Sequence, residues 1–100
     1  MAMMEISVVP LGTGSASVSS YVAGAVKLLQ KQAGITWELC PMGTVIEGDL
    51  DTLLSLAGMM HRSALEAGAV RAVTTIKIDE RTDKPLTIDG KLTAVREKLA

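Results

Sequence analysis

Trp37-Glu38-Leu39-Cys40-Pro41-Met42-Gly43-Thr44-Val45-Ile46-Glu47, at the middle of the chain, reads as two strands folded back on each other. Ile35 to Cys40 is rich in strand-preferring residues of alternating character, Pro41-Met42-Gly43 has turn chemistry, and Thr44 to Glu47 resumes the extended pattern. A hairpin at this point decides the fold, because a strand and then a helix precede it and a helix and then a strand follow it.

Upstream, Met4 to Pro10 alternates Met4, Ile6 and Val8 with Glu5, Ser7 and Val9, the period of a half-buried strand, and Pro10 is expected to end it. The small residues Gly12-Thr13-Gly14-Ser15-Ala16-Ser17 suit a loop that leads into a helix with Ser17 or Ser19 as N-cap. That helix is expected to reach Gln32 or Ala33. Its buried stripe is Val18, Val22, Ala25, Val26 and Leu29, and Gly34 stops it.

Downstream, Asp49 and Asp51 favour the positive end of a second helix, whose buried face is read as Leu50, Leu53, Leu54, Ala57, His61, Ala64 and Leu65. Gly68 closes it. Arg71 to Asp79 alternates again as a long last strand, Glu80 to Pro85 connects, and Leu92, Val95, Arg96 and Leu99 mark a short C-terminal helix. The order β-α-β-β-α-β plus a tail predicts a single domain over residues 1–100. Its class is α+β, a ferredoxin-like sandwich in which two helices cover one face of an antiparallel four-stranded sheet. The other sheet face is expected to lack a helix.

Composition narrows the function. Ten Lys and Arg against eleven Asp and Glu leave a net charge of -1 without a run of like charge, so the field that attracts nucleic acid or anionic lipid is missing. RNA-binding members of this fold stack bases on strand aromatics, and the first and last strands here contain none. One cysteine makes neither an internal disulfide nor a multi-thiolate metal site, and no apolar run of about 18 residues could span a bilayer. A reduced, cytoplasmic protein is expected, without metal. A domain this small hides only about two-thirds of its unfolded surface, which favours an oligomer.

Catalytic motifs are missing. Gly12-Thr13-Gly14 is followed by Ser17 where a dinucleotide fingerprint needs glycine, and no Gly-Lys-Ser/Thr completes a phosphate loop. Cys40 and His61 lack a third orienting group and read as packing residues. Thr13, Ser17 and Ser19 lie where a helix N-terminus could offer amides and hydroxyls to an anion, or form an ordinary capped loop. Glu38 and Glu47 flank the hairpin turn and can meet on one face, or one of them faces solvent or pairs with Lys77. Trp37 is either a stacking platform or a core residue.

The ordered set Ile6-Ser7-Val8-Val9-Pro10-Leu11-Gly12-Thr13, Ser17 to Ala23, Trp37 to Gly48, and Thr74 to Arg81 with Asp83-Lys84 resembles the thiamine-binding, YkoF-like family of ferredoxin-like proteins. The resemblance implies a non-enzymatic binder of thiamine or its hydroxymethylpyrimidine portion, acting in vitamin salvage, delivery or sensing without a cofactor. It also implies a homotetramer built as a dimer of dimers through the sheets. For such a ligand, Glu38 and Glu47 are the expected charge partners, Ser7 and Thr44 the hydrogen-bonding groups and Trp37 a wall; Thr13, Ser17 and Ser19 would meet a phosphorylated form. The competing reading is a structural or regulatory interaction module without a vitamin ligand.

Overall fold

The computed structural model describes residues 1–100. Its elements run β1 (Ala2–Leu11), α1 (Ser19–Gln30), β2 (Thr36–Cys40), β3 (Gly43–Gly48), α2 (Leu50–Glu66), β4 (Arg71–Glu80) and α3 (Ile88–Leu99). The strands form one antiparallel sheet in the order β2-β3-β1-β4, so the fold is the expected ferredoxin-like α+β arrangement.

Register follows from the hydrophobic pattern. Met4 pairs with Ile46 and with Ile78, and Trp37 pairs with Ile46, which puts these side chains on the helix-covered face. There Met4, Ile6 and Ile46 join Ala25 and Leu29 of α1 with Leu53, Leu56, Ala57 and Met60 of α2 in the main core. Each large side chain taken out of water there stabilises the fold by about 1.5–3 kcal/mol. The hairpin reverses within Pro41-Met42, since Cys40 pairs with Gly43. Gly43 is required by closeness: a Cβ there would stand 3.0 Å from the Ile6 carbonyl oxygen.

Several sequence expectations are corrected. β1 does not end at Pro10 but continues to Leu11, because β3 pairs only as far as Ile6 and leaves Pro10 with β4 as its one neighbour. A missing N–H is tolerated on such an edge. Neither Ser17 nor Ser19 caps α1. Val18 occupies the N-cap without a side-chain bond, while the loop closes on itself through Thr13 and Ser15. α1 ends at Gln30, and Gly34, at φ +80°, makes the left-handed turn into β2. The buried face of α2 includes Leu56 and Met60, whereas Leu54 and Leu65 are exposed. Asp49 is its N-cap as expected, accepting the Thr52 N–H at 3.4 Å.

The largest correction concerns the second sheet face. Leu86 and Ile88 pack with Met3 against Val45, and α3 follows from them over this face, so it is covered at one end. Thr87 caps α3 by accepting the Gly90 N–H at 2.9 Å, and Lys91 bonds Asp79 at 2.8 Å. The tail therefore lies on its own sheet. No helix of the structure is long and apolar enough to cross a membrane.

Candidate functional site

The sheet and the two helices above it do not close completely at the hairpin end. Between Val18, Tyr21, Val22 and Val26 of α1, Met60, Ser63 and Ala64 of α2, and the strand residues Ile6, Val8 and Thr44 lies a cavity of about 320 Å³. That is at the lower end of the range typical of small-molecule pockets, about 300–1,000 Å³. No charged residue lines it. The α1 stripe read as core is thus only partly so: Ala25 and Leu29 are buried, while Val18, Val22 and Val26 are half-buried against the open slot.

Its polar groups are few. Thr44 is 4% exposed and is the only polar or charged residue among the buried ones. Tyr21 contributes a phenol, Ser63 a hydroxyl that donates to the Met60 carbonyl at 2.7 Å, and Cys40 a thiol directed to the Glu38 carbonyl at 3.9 Å. The mouth runs past Cys40 and Pro41 into an open groove bordered by Ser17, Ser19, Lys27 and Gln30, where Lys27 is the sole charge. Met42, at the hairpin tip beside the mouth, is 89% exposed.

The residues singled out from the sequence divide between two places. Thr44 lines the cavity, Ser7 borders it from a strand position whose alternation sends its side chain to the other face, and Ser17 and Ser19 border the groove. Thr13 borders neither; its hydroxyl donates to the Ser15 carbonyl at 2.8 Å. Glu38 and Glu47 do share a face, but it is the second one, and they border a separate recess with Thr36, Ile88, Asp89 and Arg96 beneath α3. Glu47 is engaged there, accepting the Ile88 N–H at 2.6 Å. Lys77 lies 3.8 Å from Glu5 instead. Trp37 packs against the main core and borders that recess rather than the cavity.

Tyr21, Val18, Val22, Val26 and Ser63 were not anticipated as lining, because at helical spacing they are indistinguishable from ordinary core and surface positions. His61, paired with Cys40 as a packing residue in the sequence, has its Nδ1 2.6 Å from Thr74 Oγ1 and does not border the cavity. No group of three or more His, Cys, Asp and Glu side chains stands where it could hold a metal ion.

Comparison with known proteins adds to this geometry. The model of the family described as thiamine-binding protein matches residues 4–96. The chain belongs to that family. It is 43% identical over 100 residues to a UPF0045 protein of Methanothermobacter thermautotrophicus, an alignment covering 99% of this chain and 100% of that one. With the UPF0045 protein YqgV of Bacillus subtilis it shares 37% over 102 residues, 99% and 98% of the two chains. The crystal structure of the hypothetical protein MJ1052 from Methanocaldococcus jannaschii superimposes with a TM-score of 0.88 at 44% identity, over 96% of each chain. Family membership and fold thus agree, and the half-open slot between sheet and helices is a feature of this member of the thiamine-binding protein family that its own residues define.

Proposed function

We propose that the chain binds thiamine or its hydroxymethylpyrimidine portion without catalysing a reaction, as a carrier or sensor in vitamin salvage. The observation that carries this reading is an uncharged, apolar slot whose one buried polar side chain is Thr44. An aminopyrimidine is flat and neutral, and its ring nitrogens and amine ask for both donors and acceptors, which Thr44, Tyr21 and Ser63 can supply. The family's description supports the ligand class.

In this reading the pyrimidine enters the slot, because a permanent thiazolium cation would meet no carboxylate there. The thiazolium end lies toward the groove, where Ser17, Ser19 and Lys27 favour a phosphate ester over the free alcohol. Glu38 and Glu47 then serve α3 and its recess rather than the ligand. We include a homotetrameric assembly, a dimer of dimers, and a cytoplasmic location in keeping with the unpaired Cys40 thiol.

Titration calorimetry with thiamine, its mono- and diphosphates and hydroxymethylpyrimidine tests the proposal. Saturable binding at one site per chain is expected, weakened about tenfold by Thr44→Val, the equivalent of one lost hydrogen bond of about 1–1.5 kcal/mol. Absence of heat and of thermal stabilisation with every one of these compounds would overturn it in favour of the ligand-free interaction module.

A further inference from the structure

We infer that Ser63 is the residue by which the cavity tells a 4-aminopyrimidine from its 4-oxo counterpart, accepting a hydrogen bond from the exocyclic amine. The inference rests on the proposed binding of the hydroxymethylpyrimidine portion and adds to it the group that reads the ring. Ser63 lies in the last turn of α2 and borders the cavity with Met60 and Ala64. Its hydroxyl donates to the Met60 carbonyl at 2.7 Å, one turn back along the same helix. A serine hydroxyl has one proton and two lone pairs. With the proton held by that carbonyl, Ser63 presents only acceptor capacity to the cavity.

Thr44 borders the same space from β3 with the opposite freedom. It is buried, and no group of the chain bonds its hydroxyl. No side-chain nitrogen or oxygen is both sealed off and without a partner, so this hydroxyl opens on the cavity. It rotates to donate or to accept, as does the Tyr21 phenol across the slot. Lys27 stands in the outer groove rather than on the cavity wall, where no residue is charged. Hydrogen-bond polarity, not charge, is therefore what sorts ligands inside, and Ser63 is the wall hydroxyl whose polarity is set by a bond within the chain.

An aminopyrimidine carries an amine donor next to a ring-nitrogen acceptor. The amine meets the Ser63 lone pair and the ring nitrogen takes the Thr44 proton, so both wall groups are satisfied together. In the 4-oxo ring a carbonyl oxygen replaces the amine and the neighbouring nitrogen carries hydrogen. Thr44 turns to accept from that N–H, but the carbonyl oxygen faces the Ser63 oxygen, acceptor against acceptor. Ser63 relieves this only by giving up the Met60 carbonyl, so the oxo ring binds with about one hydrogen bond fewer, about tenfold more weakly. Uracil and thymine, which carry oxygen at this ring position, fall on the rejected side with the deaminated hydroxymethylpyrimidine. Shape alone would not separate these rings, because an amine and a carbonyl oxygen differ little in size.

Calorimetric affinities of the full chain for hydroxymethylpyrimidine and for its 4-oxo analogue test the assignment. The wild-type chain is expected to favour the amine about tenfold. Ser63→Ala, a change to a good helix former, should bring that ratio near one, chiefly by weakening the amine. Ser63→Thr, whose hydroxyl can bond the preceding turn in the same way, should keep the preference. Thr44→Val should weaken both ligands and leave the ratio near tenfold. A wild-type chain that binds the two pyrimidines equally, or a Ser63→Ala chain that keeps the tenfold ratio, overturns the role of Ser63 and leaves the binding proposal standing. Equal loss of both ligands in Ser63→Ala also overturns it, since that is the mark of a structural serine. Failure of the wild-type chain to bind either pyrimidine overturns the binding proposal and this inference together.

Discussion

The Glu47 carboxylate accepts the backbone N–H of Ile88 at 2.6 Å, joining β3 to the first turn of α3 across 41 residues of chain. An acidic side chain at the positive end of a helix satisfies an orphan amide and complements the helix dipole at once. With Ile88 buried against Met3 and Leu86, and Lys91 bonded to Asp79, this contact fixes α3 over the second sheet face. The residue that the sequence offered as a ligand group therefore has a structural partner.

Glu47→Ala is expected to lower the stability of the chain by about 1–2 kcal/mol, the range for a partly buried hydrogen bond to a charged group. Urea unfolding reads the loss, and amide exchange at Ile88 and Gly90 should speed up ahead of exchange in β1. Affinity for hydroxymethylpyrimidine should stay within about twofold, since Glu47 does not border the cavity. Unchanged stability would show that the apolar contacts of Leu86 and Ile88 hold α3 without the carboxylate.

Glu38→Gln separates the two sheet faces in the same way. Glu38 borders the recess beneath α3 and not the cavity, so thiamine and hydroxymethylpyrimidine should each bind to the variant as they do to the parent, within about twofold, while Thr44→Val weakens both. A selective loss of thiamine binding in Glu38→Gln would instead put the thiazolium beside this carboxylate, and the ligand on the other side of the sheet.

The alternation of Met4, Ile6 and Val8, the Pro41-Met42 turn and the Asp49 cap carried the fold in the sequence, because each is a local rule with a single reading. The site was less legible. Val18, Val22 and Val26 have the spacing of core residues, and only the separation of α1 from the hairpin leaves them beside a slot. The sequence left open whether Glu38 and Glu47 share a face; the strand register puts them on one, and which face the helices cover depends on how all four strands pair. The position of α3 rests on Glu47 meeting Ile88, a contact between residues too far apart in the chain for any periodicity to register.

Arg81 and Asp83 offer a check at the exposed connector after β4. Arg81 Nε lies 2.7 Å from Asp83 Oδ1, and this hydrogen-bonded pairing holds the Asp83 carboxyl below its ordinary value of 3.8 and raises Arg81. A depressed carboxyl pKa contributes stability above the unfolded value that is lost as pH falls through the lower folded one. Carbon-detected NMR titration should find Asp83 titrating below 3.8, and Arg81→Ala should return it toward that value. Both side chains are open to solvent, which screens the pair, so the unfolding midpoint of Arg81→Ala at pH 7 should match the parent's.

Leu53 and Leu54 test the orientation of α2, where the sequence alone left a real ambiguity. Leucines stand at 50, 53, 54, 56 and 65, and the face expected to be buried spanned Leu50, Leu53, Leu54, Ala57, His61, Ala64 and Leu65. The structure keeps Leu53, Ala57 and Ala64 of that face inward and adds Leu56 and Met60: Leu53 is fully buried in one core with Met4, Ile46 and Leu29, while Leu54 stays 47% exposed. Packing decides between them, since the arc through Leu53, Leu56 and Met60 continues into Ala57 and Ala64, whose small side chains let the helix approach β1 and α1 closely. Leu53→Ala should therefore cost about 2–5 kcal/mol in urea unfolding, as buried leucine truncations do. Leu54→Ala should cost under about 1 kcal/mol in the same measurement. If Leu54→Ala proved the more damaging of the two, α2 would be rotated about its axis from the orientation described, and with it Met60, Ser63 and Ala64 would leave the cavity wall.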